Sequence, residues 1–91
     1  YDFPGATCIS VFPAIAHGIP GERRIGAGDL VNIDVSAEMD GYFADTGASF
    51  IAPPRKPQLE RLTRDGKRAL WAGINAVKAG ARLGDIGRAV Q

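Results

Sequence analysis

From Val31 to Met39 apolar and polar residues alternate without a break, and two turn residues, Asp40-Gly41, then return the chain into a second run, Tyr42 to Phe50. No other feature of the sequence limits the fold so much. Val31, Ile33, Val35, Ala37 and Met39 are apolar, with Asn32, Asp34, Ser36 and Glu38 between them. A period of two puts successive side chains on opposite faces of a strand, so one face is apolar and the other polar. Asp-Gly is a favoured two-residue hairpin loop, because a type I′ turn needs positive φ at both central positions. The expected unit is an antiparallel hairpin, closed by Pro53 and Pro54.

The turn also sets the register. With Asp40 and Gly41 at the tip, Met39 faces Tyr42 and Asp45 faces Ser36. Asp34 lies two residues before Ser36 and projects from the same face. Asp34 and Asp45 are then diagonal neighbours, their Cα atoms about 7–8 Å apart. Carboxylates so placed can reach one cation, or two ions about 3.5–4 Å apart. The pattern alone leaves two readings open. At about 7 Å the two charges repel by roughly 2 kcal/mol at an effective dielectric of 20, which a solvated hairpin tolerates without a metal. Favouring a cation, Asn32, Asp34, Ser36, Glu38 and Asp45 share one face beside the small Gly47, with few lysines near to neutralise them.

The rest of the chain supplies the frame. Ala6 to Phe12 is β-branched and apolar enough for a further buried strand, and Pro13 ends it because proline cannot donate to a sheet ladder. His17-Gly18-Ile19-Pro20-Gly21 and Gly26-Ala27-Gly28-Asp29 are loops. Leu59, Leu62, Ala69, Leu70, Ile74 and Val77 recur at helical spacing from Pro57 to Lys78, with Pro57 suited to the first turn and Gly80 to the stop. Gly66 and Gly73 interrupt that helix at a cost of about 1 kcal/mol each against alanine, and close packing on the sheet is the expected reason. A second helix begins near Leu83. Strand, hairpin, helix, helix is an α+β order with antiparallel strands and covering helices. Strands and hairpin span about 6–50, helices about 57–78 and 83–91.

Of the 91 residues 45% are hydrophobic and 23% charged, an ordinary globular composition. Apolar runs are only a few residues long, so neither a membrane span nor a signal-peptide core is expected. One cysteine, Cys8, excludes an internal disulfide and a cysteine-based zinc site, and a reducing cytoplasm is the default compartment. The chain begins at Tyr1 without Met and stops at Gln91 inside a helical stretch. That is expected of one incomplete domain, residues 1–91, cut at both ends from a longer protein. Charge is segregated: residues 1–50 hold seven acids against Arg23 and Arg24, and residues 51–91 hold nine bases against Glu60, Asp65 and Asp85. Arg61, Arg64 and Arg68 share a helix face by their spacing. A solvated face and an anion-docking face are both consistent with that pattern.

His17 is the only histidine, flanked by Ala16 and Gly18, where backbone freedom can aim the ring. A neutral imidazole can donate or accept near a reacting carbonyl; an ordinary loop histidine is the alternative. Cys8, with no base near it in sequence, reads as a small buried hydrophobe.

Three blocks together are more specific than any of these features. Phe3-Pro4-Gly5-Ala6-Thr7-Cys8-Ile9-Ser10-Val11, Ala16-His17-Gly18-Ile19-Pro20, and Gly28-Asp29-Leu30-Val31-Asn32-Ile33-Asp34-Val35 running on to Asp40-Gly41-Tyr42-Phe43-Ala44-Asp45-Thr46 follow one another in order and spacing. They resemble the type I methionine aminopeptidases, of the pita-bread metallopeptidase fold, over essentially the whole chain. The resemblance implies a partial pita-bread fold and metal-dependent removal of the N-terminal methionine from nascent proteins and peptides. It implies Asp34 and Asp45 as metal ligands, with Asp45 bridging two divalent ions, which for such donors are Mn, Fe, Co or Zn. It implies His17 as the catalytic histidine that hydrogen-bonds the substrate near its scissile amide, and Phe3 and Cys8 as lining for the methionine side chain. The partners implied are chains beginning with Met and the ribosome near its phosphate-rich exit; neither a membrane nor a specific DNA site is expected. Phe12-Pro13-Ala14-Ile15 stands where members usually carry Asn and an acidic residue, so the turn before His17 is expected to differ. The resemblance also implies further ligands, one His and two Glu, beyond the second helix and an N-terminal helical segment before the position of Tyr1, none of which is among these 91 residues. A proline-specific peptidase of the same fold and a non-catalytic pita-bread binding module are the alternatives; His-Gly-Ile-Pro argues against the first, and the retained Asp34 and Asp45 against the second.

Overall fold

A computed structural model describes residues 2–91. Three strands form one antiparallel sheet in the order β1 (Cys8–Val11), β2 (Leu30–Met39), β3 (Tyr42–Ile51), followed by α1 (Pro57–Ala76) and α2 (Leu83–Val90). Two compact units part between Leu59 and Glu60. Among the described residues no helix is long and apolar enough to cross a membrane.

In the first unit the hairpin has the register its turn dictates. Asp40 and Gly41 have φ of 54° and 82°, both left-handed as a type I′ turn requires. The Glu38 carboxylate accepts the Gly41 amide across the turn. Met39 pairs with Tyr42, Ser36 with Asp45, Asp34 with Gly47 and Leu30 with Ile51. The first strand pairs Cys8 with Asp34 and Ser10 with Asn32. It is shorter than the apolar stretch suggested. Beyond Val11, the Phe12 amide still bonds the Leu30 carbonyl at 3.0 Å, and Pro13 stops the ladder there.

Paired residues share a face, so the sheet reads as rows. On the apolar face Val11, Val31 and Phe50 form one row and Ile9, Ile33 and Ala48 another. Val31 is fully buried and Val11 nearly so. On the polar face lie Ser10–Asn32–Ser49, Cys8–Asp34–Gly47 and Ser36–Asp45. Asn32 donates to the Ser49 hydroxyl at 3.0 Å, stitching β2 to β3 on that side. At the base of the hairpin the Gly28 amide donates to the Ala52 carbonyl and the Ala52 amide donates to the Asp29 carbonyl, both at 2.9 Å. Burial fades toward the tip, where Met39, Tyr42 and Phe43 are exposed.

In the second unit α1 leaves the helix at Ala76, two residues before the expected end. Val77 N bonds Ile74 O at 3.1 Å, a tightened last turn, and Gly80 takes φ 83°, the left-handed exit that glycine permits. The Asp85 carboxylate accepts the Arg82 amide at 2.8 Å and ion-pairs with Arg88 on the next turn, so the start of α2 is capped. Gly73 is buried, but the expected reason is corrected. A Cβ there would lie 2.8 Å from Val90 Cγ2 and 3.6 Å from Ile86 Cγ2, so the close approach that needs glycine is helix to helix. At Gly66 a Cβ would meet nothing within 4 Å, and packing does not explain that glycine.

Candidate functional site

Asp34 sits in the middle of the polar face, where two register pairings meet. Cys8 of β1 is directly across from it on one side and Gly47 of β3 on the other. Gly47 leaves open the space in front of the carboxylate: a Cβ there would already lie 3.7 Å from Asp34 Oδ1. Asp45, one row nearer the tip, is paired with Ser36. The two aspartates therefore occupy the diagonal that the turn implies, Asp34 half-buried and Asp45 exposed. Among the described residues neither makes an ion pair.

Whether these residues suit a divalent cation follows from the donor set. Two carboxylates with oxygen-bearing Asn32, Ser36 and Ser49 on the same face form a hard, uncompensated surface, which suits hard to borderline divalent ions. Among the described residues no group of three or more His, Cys, Asp and Glu converges on one point. The pair fits one part of a coordination sphere, with the other ligands still to be supplied.

His17 is exposed and stands at the outer edge of β1, held there by its neighbour. The Gly18 carbonyl accepts the Ile9 amide at 2.9 Å, and the Gly18 amide donates to Ser10 Oγ at 3.0 Å. The segment lies so close to the strand that a Cβ on Gly18 would be 2.2 Å from the Ile9 carbonyl oxygen. His17 itself takes φ 55°, uncommon outside glycine.

The turn before it, where the sequence departs from the resembled family, is tied as well. Ala14 N bonds Val11 O at 3.1 Å. The Arg23 guanidinium spans the carbonyls of Val11 and Phe12, at 3.3 and 3.2 Å. Phe3 is half-buried, and a Cβ on Gly5 would lie 3.2 Å from both the Phe3 ring and Pro20, which places the ring near the segment after His17. Cys8 is half-buried on the aspartate face. The five residues singled out by sequence, Phe3, Cys8, His17, Asp34 and Asp45, thus all belong to the first unit.

A groove of about 250 Å³ beside Gly18 is lined by Ile9, Val11, Ala14, Ile19 and Ile25 with Arg23. Ile9 and Val11 belong to the face opposite Asp34, so this groove does not open on the carboxylates.

Two contributors were missed in the sequence. Ser10 is 2% exposed, and the signal was a lone hydroxyl inside Ile9-Ser10-Val11, because a buried polar group needs a partner. Arg23 reaches back 11 and 12 residues to its acceptors, and no local pattern announces such a contact.

Comparison with known proteins supplies the context for this arrangement. The profile of metallopeptidase family M24 matches residues 1–91. Methionine aminopeptidase 2 of Bacillus subtilis is 50% identical over 91 residues, covering 99% of this chain and 36% of that protein. Methionine aminopeptidase A of Synechocystis is 41% identical over 90 residues. Among solved structures, the methionine aminopeptidase of Rickettsia prowazekii superposes with a TM-score of 0.94 at 38% identity, over 98% of this chain and 36% of that one. The chain spans about a third of the length of the curated relatives it matches.

Proposed function

The chain belongs to metallopeptidase family M24, and from that premise we propose that it carries the first part of a methionine aminopeptidase site, acting on proteins and peptides that begin with Met. The observation that carries this reading is the shared polar face of Asp34 and Asp45 on one hairpin, with His17 pinned at the edge of the adjoining strand. In this reading the 91 residues are an incomplete catalytic domain of a cytoplasmic enzyme, and the remaining His and two Glu ligands belong to residues beyond them.

Asp34 and Asp45 would be the residues that hold divalent metal, from among Mn, Fe, Co and Zn. Such ions supply Lewis-acid polarisation of the first peptide carbonyl and acidify a bound water. The protein's own groups do the rest. His17, one residue from a doubly bonded glycine, offers an imidazole to the scissile amide at a fixed position. Cys8 and the Phe3 ring give the methionine side chain an apolar wall. Gly47 keeps the approach to Asp34 open.

The test is methionine release by the full-length protein with saturating Mn or Co. Asp45→Asn abolishes it, because a neutral amide oxygen holds a divalent cation far more weakly than a carboxylate does. Near-normal turnover by the variant refutes the role given to Asp45.

The ribosome belongs to the same reading. On α1, Arg64, Lys67 and Arg68 surround the half-exposed Trp71, and Asp65 partly neutralises Arg64 and Arg68 at 3.5 and 3.7 Å. Phosphate contacts made by this face weaken steeply with salt, because binding releases condensed counterions. Co-sedimentation with ribosomes at low and high salt measures it. Changing Arg61, Arg64 and Arg68 together to Glu abolishes it, and unaltered co-sedimentation leaves the face as simple solvated surface.

A further inference from the structure

Of the described polar side chains in the first unit, Ser10 is buried most completely and has no part in the chemistry proposed above. It is 2% exposed. It lies in register with Asn32, one row from Asp34. Its Oγ accepts the amide of Gly18 at 3.0 Å, while the carbonyl of the same glycine accepts the Ile9 amide at 2.9 Å. A single residue is thus held at both its amide and its carbonyl by consecutive residues of one strand. The next residue back is His17, whose φ of 55° is a conformation that persists only where the surroundings enforce it.

Adjacent strands lie about 4.8 Å apart. The Gly18 segment runs along one edge of β1 and β2 pairs with the other, so the backbones of Gly18 and β2 are separated by about two such spacings, roughly 10 Å. An imidazole extending a few ångströms from that edge and a carboxylate extending from β2 can face a common substrate only if the edge segment is fixed in height and along the strand. The Ile9 bond fixes the Gly18 carbonyl, and the Ser10 bond fixes the Gly18 amide, so the two together set the segment's height and its place along the strand.

We propose that Ser10 is a positioning residue for His17, acting through Gly18 to fix where the imidazole meets the substrate. This deepens the methionine aminopeptidase reading and rests on it.

Two measurements on the full-length protein test it. In hydrogen exchange of the segment 14–20, Ser10→Ala raises exchange at the Gly18 amide about tenfold, and this readout does not depend on activity. In methionine release from a Met-Ala-Ser peptide with Mn, Ser10→Ala lowers kcat/KM about tenfold, as misplacement of a reacting group does. In the His17→Ala background the same Ser10→Ala change costs nothing further, because its effect passes through the missing ring. Mn affinity by calorimetry is the same with and without Ser10→Ala.

Unchanged exchange at Gly18 overturns the clamp. Raised exchange with losses that multiply in the double variant overturns the positioning role, since a generally structural serine harms the enzyme with or without His17. Weakened Mn binding in Ser10→Ala also overturns it, by placing the effect at the aspartates. Absence of methionine release by the unaltered protein overturns the underlying reading instead, and is told apart because the exchange result stands independently.

Discussion

Gly18→Ala is the sharpest single perturbation of this site. A Cβ at that position falls 2.2 Å from the Ile9 carbonyl oxygen, 2.7 Å from its carbon and 2.8 Å from Ser10 Cα. All three obstacles are backbone, so no side chain can rotate away. Ordinary contact needs about 3.5 Å, so the segment must retreat by more than 1 Å. The two bonds it makes with β1, at 2.9 and 3.0 Å, would then exceed hydrogen-bonding distance. At about 1 kcal/mol each the loss is about 2 kcal/mol in stability. A shift of about 1 Å at a reacting group costs on the order of 100-fold in rate. Urea unfolding and methionine release by the full-length variant measure the two effects. A variant within about 0.5 kcal/mol of the parent, the range of an unremarkable surface change, and with near-parent kcat/KM would refute the reasoning, for it would mean the segment is not seated against the strand.

Three further outcomes follow from the same geometry. Gly41→Ala destabilises by about 1 kcal/mol although a Cβ there meets nothing within 4 Å, because φ of 82° is strained for alanine; Gly41→Asn recovers most of it, and equal melting of all three proteins would show the turn is not type I′. Gly47→Val crowds Asp34 Oδ1, already 3.7 Å from a modest Cβ, and weakens Mn binding about tenfold by calorimetry; unchanged affinity would remove Asp34 from the ligand set. Gly73→Ala gains about 1 kcal/mol of helix propensity but collides with Val90 Cγ2 at 2.8 Å, so it does not stabilise alone, whereas Gly73→Ala with Val90→Ala does; stabilisation by the single change would show that α2 does not press on Gly73.

The hairpin was legible in the sequence because its determinants are local. A two-residue turn needing positive φ fixes every pairing from Met39–Tyr42 back to Leu30–Ile51, and alternation assigns the faces, so Asp34 and Asp45 could be set on one diagonal by counting alone. Helix α1 was legible from its periodicity and its terminal proline and glycine. Residues distant in sequence were another matter. The pairing of Cys8 with Asp34 depends on how a long connection lets β1 return to β2, and no short-range rule sets that register. The grip of Ser10 and Ile9 on Gly18, and of Arg23 on Val11 and Phe12, is likewise between segments that meet only in the folded unit. Gly73 makes the same point in reverse: a helix-interior glycine announces that something comes close, and only the tertiary structure decided that it is α2. Local backbone preferences choose strands, turns and caps, whereas contact between distant segments is settled by packing, where each buried amide and each ångström of clearance is counted against all the others at once.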